Sequence, residues 1–230
     1  MFPLRRFLPL TALLFSITAH AAVVSPHQLA QQLGKVAPAA SPKVLALATH
    51  ALACVERNRP VQTLSVIDYS LPSTVPRLWV FDLGQQPRLL FHELVAHGRD
   101  SGGDMASRFS NKPGSLMSSL GTFMTDGTYI GHNGLSLRLK GIDGKFNDEA
   151  EKRAIVIHGA SYVSRAFIHS EGRLGRSYGC PAVRRSVAHK LIDAIRAHSM
   201  VFAYYPDPRW LKGSRLLGDC GGKDDALAAR

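Results

Sequence analysis

The hydrophobic pattern changes period along the chain. Behind an apolar N-terminal run, "SPHQLAQQLGKVAPAASPKVLALATHALACVERN" reads as two short helices around a Pro/Ala/Ser link. Leu45, Ala48, Leu52 and Val55 recur at the spacing of one helix face, and Asn58-Arg59-Pro60 ends the second helix. From there the period shortens to β-type bursts: "TLSVIDYS", "RLWVFDL", "RLLFHELVAH", "TFMTDGTYIG", "LSLRLKGI", "RAIVIHGA" and "MVFAYYP". Turn residues separate these bursts at intervals that predict a compact, mainly antiparallel β architecture. One clear helix interrupts, "RRSVAHKLIDAIRAH", with Val187, Leu191, Ile192 and Ile195 on its apolar face. The predicted class is mainly β (α+β). A helical segment spans 22–59, a β-rich domain with one helix in its C-terminal half spans 60–212, and a polar, glycine-rich tail spans 213–230. No internal repeat appears.

The first residues stand apart from that domain. "MFPLRR" puts two arginines ahead of "FLPLTALLFSITA", and Ala19-His20-Ala21 supplies a small-x-small cleavage site. Pro9 interrupts the run, which is shorter than the roughly 20 apolar residues a span needs. These features predict a signal peptide over 1–21, an exported protein of the periplasm or cell envelope, and no transmembrane span after cleavage. Cleavage removes Arg5 and Arg6 and no acidic residue, so the formal charge falls from +11 to +9. A basic exported protein suits an anionic surface such as cell-wall polymer or lipid headgroups. The charges are scattered and no nucleic-acid-binding module is recognisable, which argues against nucleic acid as a partner.

Export changes how the three cysteines are read. In an oxidising compartment an odd count leaves a free thiol or an intermolecular bridge. Cys54 in the helical segment and Cys220 in "GDCGG" are expected to pair and tie the ends of the domain together. Cys180, inside "GRLGRSYGCPAV", is then the thiol left over. By itself it fits an apolar filler, a disulfide partner, a metal ligand or a nucleophile.

"FHELVAH" superficially matches a zinc-protease helix, but His92 and His97 are five apart rather than four. On a strand, that spacing puts them on opposite faces. His97, at a strand end before Gly98, is retained as a cleft candidate. The stronger pair is "AIVIHGA", which delivers His158 and Gly159 at a strand end, and "SYGC", which presents Cys180 before a helix. An imidazole beside a thiol lowers its pKa and makes a thiolate–imidazolium pair. Glycine before the cysteine lets successive N–H groups face one point, as an oxyanion requires.

H-G at a strand end, followed after a glycine-rich stretch by S-x-G-C, resembles the active-site signature of the L,D-transpeptidases, the YkuD-type catalytic domain. "FSNKPGSLMSSLGTFMTDGTYIGHNGLSLRLKGID", "HGASYVSRAFIHSEGRLGRSYGCPAV" and "VFAYYPD" are similar to the larger bacterial subfamily, over roughly residues 60–212. The resemblance implies a β-sandwich-like fold and a cysteine nucleophile acting on peptidoglycan stem peptides, without a metal or other cofactor. It makes Cys180 the nucleophile, His158 its base, and the Gly159 carbonyl the group that orients the imidazole. Ser177 takes the motif's hydroxyl position, and the N–H groups around Gly179 and Cys180 form the oxyanion hole. The family attacks the carbonyl of the third stem residue, usually diaminopimelate, and expels D-alanine. An amine acceptor then gives a cross-link; water gives an L,D-carboxypeptidase or endopeptidase. Carbapenem-type inhibitors are expected partners.

There are departures from the family pattern. Ala182 stands where many members carry an arginine, and Tyr178 where histidine is common. Arg176 and Arg184 are the expected substitutes for carboxylate binding, because arginine binds carboxylates bidentately. Tyr178, His132 in "YIGHNG" and Asn111 complete the candidate substrate contacts, with Ser118 and Ser119 as further cleft residues. Two rivals predict other outcomes: a non-catalytic wall-binding protein of this fold, and a zinc hydrolase using His97, His132, His158 and Cys180. The zinc reading lacks close ligand spacing.

Overall fold

The computed structural model describes residues 24–220. The leader expected over 1–21, and the end of the tail from 221 on, lie outside the described residues. Helices α1 (Pro26–Val36) and α2 (Pro42–Glu56) each begin with serine followed by proline. Proline suits the first turn, where its missing N–H would have no helical partner. Ser25 and Gln28 also form a reciprocal capping box on α1. Leu45, Ala48, Leu52 and Val55 are all buried, so the apolar stripe of α2 faces the core as its spacing requires.

The strands are β1 (Thr63–Asp68), β2 (Leu78–Asp82), β3 (Arg88–Glu93), β4 (Val95–Ala96), β5 (Gly121–Gly131), β6 (Gly134–Gly141), β7 (Val156–Ala160), β8 (Ala182–Arg184) and β9 (Ser199–Tyr204). They form one sheet in the order β3-β2-β1-β9-β5-β6-β7-β8-β4. Its two ends, β3 and β4, are separated in sequence by Leu94 alone. The segment "RLLFHELVA" therefore pairs with β2 through its first half and with β8 through its second. This shared segment curls the sheet into a near-barrel, so the two facing layers belong to one sheet. Most pairs are antiparallel, but β1/β9 and β7/β8 are parallel, which the turn spacing did not reveal. Parallel neighbours need a crossover. For β7 and β8 it carries an additional helix, α3 (Arg165–Glu171).

Alternation along the strands sets up the site. Leu137, Leu139, Ile155, Ile157 and Val183 point into the main core, where α4 (Arg185–Ile195) buries Ala188, Leu191, Ile192 and Ile195. Gly159 permits that contact, since a Cβ there would lie 2.9 Å from the Ala188 side chain. Ser136, Arg138, Val156 and His158 therefore point to the other face. Ala160, Ala182, Ala96 and Leu94 continue this face under a second apolar cluster with Val163 and Leu174.

At the far end, α5 (Pro208–Gly213) is tied down by Asp143, which accepts from Trp210 Nε1 (2.9 Å) and Ser214 Oγ (2.7 Å). Cys54 and Cys220 are bonded to each other with Cα atoms 5.1 Å apart, and Cys180 carries a free thiol. Among the described residues, no helix is long and apolar enough to cross a membrane.

Candidate active site

Cys180 lies where the loop from α3 enters β8. Pro181 turns inward and shares a small interior cavity with Leu139 and Ile155. The Cys180 side chain is half-buried and packs against the edge of the main core, whereas Ala182 belongs to the second cluster. In the sheet, His158 stands between Ser136 of β6 and Ala182 of β8. Stepping that register back two residues sets Cys180 level with Val156. Cys180 and His158 thus lie on neighbouring chain segments, offset by about 7 Å along the strand direction at the usual rise per residue.

The loop is held by a set of short bonds. Ser177 Oγ accepts from the Gly179 N–H (3.1 Å) and donates to the Cys180 carbonyl (2.6 Å). Ser118 Oγ accepts from the Gly98 N–H (3.0 Å) and donates to the Gly179 carbonyl (3.1 Å). His97 and Gly98 run beside Ser177, whose N–H donates to the His97 carbonyl at 3.0 Å. Two glycines make this approach possible. A Cβ on Gly98 would sit 2.6 Å from the Leu116 oxygen. One on Gly179, at φ 126°, would sit 2.8 Å from the Met117 oxygen. Of the two amides expected to face an oxyanion, that of Gly179 is committed to Ser177. That of Cys180 makes no hydrogen bond among the described residues.

The electrostatics favour a neutral resting pair. Burial pushes the Cys180 thiol up from its ordinary value, against the Val156 N–H and the Arg153 cation, which pull it down. Burial lowers His158, with its bond to Gly159 opposing. His158 Nδ1 lies 3.1 Å from the Gly159 oxygen. A carbonyl only accepts, so Nδ1 carries the proton and Nε2 is the basic nitrogen. The thiol donates to the Ala154 oxygen at 3.7 Å. No hydrogen bond joins Cys180 to His158 among the described residues.

The other candidates are dispersed. Arg176 donates to the carbonyls of Arg99 (3.2 Å) and Gly102 (2.9 Å), bracing the loop. Arg184 makes a two-pronged ion pair with Glu93, at 2.7 and 2.8 Å. Both substitutes proposed for the missing arginine thus already have partners. Tyr178 is exposed, with the Arg99 guanidinium over its ring. His132 sits exposed in the β5–β6 hairpin turn. Asn111 bonds Lys145, Asp148 and Glu149 and lines a separate cavity of about 320 Å³ with Phe109 and Trp210.

His97 is buried behind the loop. Its Nδ1 accepts from the fully buried Arg77 at 2.7 Å. Burial and the Arg77 charge lower its pKa to about 4. His92 instead stacks on Trp79. The four residues of the zinc reading do not cluster. Among the described residues the only group of three or more ligand types is His50, Cys54 and Cys220, whose sulfurs are bonded to each other.

Sequence reasoning missed Arg153. Its guanidinium donates to Ser110 O (2.7 Å), Ser119 Oγ (2.5 Å), Met117 O (2.6 Å) and Ser115 Oγ (3.3 Å), beside the Cys180 turn. Its one signal was position, as a cation just ahead of the apolar strand that carries His158.

The model of the L,D-transpeptidase catalytic domain matches residues 36–204. The chain belongs to that family. No curated protein sequence matches it. Solved structures similar to this L,D-transpeptidase-family chain include an L,D-transpeptidase from Mycobacterium smegmatis, at 14% identity, covering 63% of this chain and 59% of that one, with a TM-score of 0.39. An L,D-transpeptidase solved with imipenem is 13% identical, covering 62% and 59%, with a TM-score of 0.39. The helical cell shape determining protein Pgp2 from Campylobacter jejuni is 13% identical, covering 70% and 57%, with a TM-score of 0.44. The match spans less than two thirds of the length of each.

Proposed function

We propose that the protein is an exported L,D-transpeptidase that acylates Cys180 with a peptidoglycan stem peptide. The observation that carries this is one free thiol in the loop that enters the strand beside His158, an imidazole with a basic Nε2, in a chain of this family. In the reading, substrate binding draws the thiol from Ala154 toward His158. Nε2 takes the thiol proton as sulfur attacks the carbonyl of the third stem residue. The Cys180 N–H faces the developing oxyanion. Collapse expels D-alanine, whose amine leaves with the proton held on His158. An acceptor amine then attacks the thioester, gives a proton to Nε2, and releases the thiol as its carbonyl product departs.

The test is incubation of the purified protein with defined tetrapeptide muropeptides, read by mass spectrometry. Cross-linked or D-amino-acid-exchanged products are expected, and Cys180→Ala abolishes them. Tripeptide as the sole product would replace transfer with L,D-carboxypeptidase activity. A carbapenem adduct on Cys180 is expected in parallel. Absence of both product and adduct would favour a wall-binding role without catalysis.

A further inference from the structure

The face that carries His158 extends across the β5–β6 hairpin and carries a cation there. Register links Tyr129, Ser136, His158 and Ala182 across four strands, and Arg138 with Val156 one step along. Cys180 is level with Val156, so Arg138 lies two strands from the thiol, about 10 Å between Cα atoms at the usual strand spacing. The Arg138 guanidinium lies over Tyr129 and beside Gly127 of β5, one strand further from the thiol and about 14 Å away in all, a span that an extended tetrapeptide covers.

The state of Arg138 differs from that of its neighbours. Arg153, Arg176 and Arg184 have their guanidinium groups bonded to carbonyls, hydroxyls or Glu93. Arg138 is exposed, and among the described residues its one interaction is with the Tyr129 ring, 4.4 Å from the guanidinium carbon to the centroid. Stacking on a ring holds an arginine in place while leaving the in-plane N–H edges open, the arrangement that bidentate carboxylate binding needs. Gly127 lies on the same flank, where a Cβ would make only ordinary contact with Arg138 Nη1, at 3.8 Å.

We propose that Arg138, braced by Tyr129, binds a carboxylate of the donor stem peptide and takes the role left vacant at Ala182. This rests on the acyl-transfer reading for the identity of the peptide. The ligand chemistry is an anionic peptide carboxylate, presented on the side of the thiol facing the hairpin.

The experiment compares wild type, Arg138→Gln, Arg138→Lys and Tyr129→Leu on the free-acid tetrapeptide and on forms amidated at one carboxylate at a time. For the free acid, Arg138→Gln is expected to raise KM about 10- to 100-fold with kcat within about twofold, the loss of a charge-assisted contact. Arg138→Lys, which keeps the charge and loses the fork, falls between. The Arg138→Gln penalty should vanish for one amidated form, which identifies the carboxylate. A penalty that is absent, or equal for every peptide, would overturn the proposal. Calorimetry of the same peptides on Cys180→Ser, with and without Arg138→Gln, separates the two readings. An Arg138-dependent carboxylate preference in a protein that turns nothing over would sink acyl transfer and leave this site standing.

Discussion

Removing the Cys54–Cys220 bridge by a double serine substitution measures how far the chain ends are held by covalent closure. The two residues are 166 apart in sequence, so the bridge closes nearly the whole described chain into one loop. In the chain-entropy relation, a loop of that length removes about 17 cal/mol/K from the unfolded state, or about 5 kcal/mol at 25 °C. Unfolding entropy of about 2 cal/mol/K per residue over roughly 200 residues converts this to a fall of about 12 °C in melting temperature. The native tail has other attachments: Asp143 to Trp210 and Ser214, and His50 Nε2 2.9 Å from the Gly218 oxygen. The double variant should therefore still fold with its tail docked, since the loss lies in the unfolded ensemble. Urea unfolding with and without reductant is the assay. Wild type should lose stability on reduction, whereas the double variant should be indifferent to reductant and retain carbapenem acylation at Cys180. A loss below about 1 kcal/mol, or an equal response of both proteins to reductant, would refute the loop-closure reasoning.

Arg153→Met should destabilise the protein by about 2–3 kcal/mol, because it strips a charged donor from the 110–119 loop. It should also slow iodoacetamide alkylation of Cys180 at neutral pH. Arg153→Lys should recover reactivity better than stability; unchanged or faster alkylation in Arg153→Met would count against Arg153 as the cation that eases thiol ionisation. His97 is held to about 4 in the fold against an unfolded value near 6.5. The unfolded chain therefore binds the extra proton in that window, and stability rises with pH across it. The contribution is complete above pH 6.5 and gone by about pH 4, roughly 3 kcal/mol in all. His97→Gln should flatten urea midpoints between pH 4 and 7; an undiminished slope would rule His97 out as its source. Arg184→Gln should cost about 1 kcal/mol through its partly exposed pair with Glu93 and leave KM for stem peptide unchanged. A raised KM at unaltered stability would return Arg184 to substrate binding.

Local pattern made several features legible. The stripe on α2, the proline starts, the α4 face and the burst "AIVIHGA" each follow from side-chain periodicity and backbone preference over a dozen residues or fewer. So did the opposite orientations of His92 and His97, which need only the two-residue period of a strand. The thiol was named from its loop, and the catalytic-domain family from short motifs; His158, expected at a strand end, stands mid-strand, because β7 runs on to Ala160 in its pairing with β8.

Neighbour relations across the sheet came from long-range packing. A two-residue period says which residues share a face of one strand and nothing about the strand beside it. The shared β3–β4 segment that curls the sheet, and the parallel β7/β8 pair that levels Cys180 with Val156, therefore had no local signature. The arginines show the same limit in chemical terms. In sequence, Arg176 and Arg184 flank the cysteine and looked available. In space, Arg184 meets Glu93 across a separation of 91 residues, Arg153 reaches the 110–119 loop, and Arg138 rests on Tyr129 with its fork open. A guanidinium's role is set by the acceptors within about 3 Å of it, and only the folded chain chooses those.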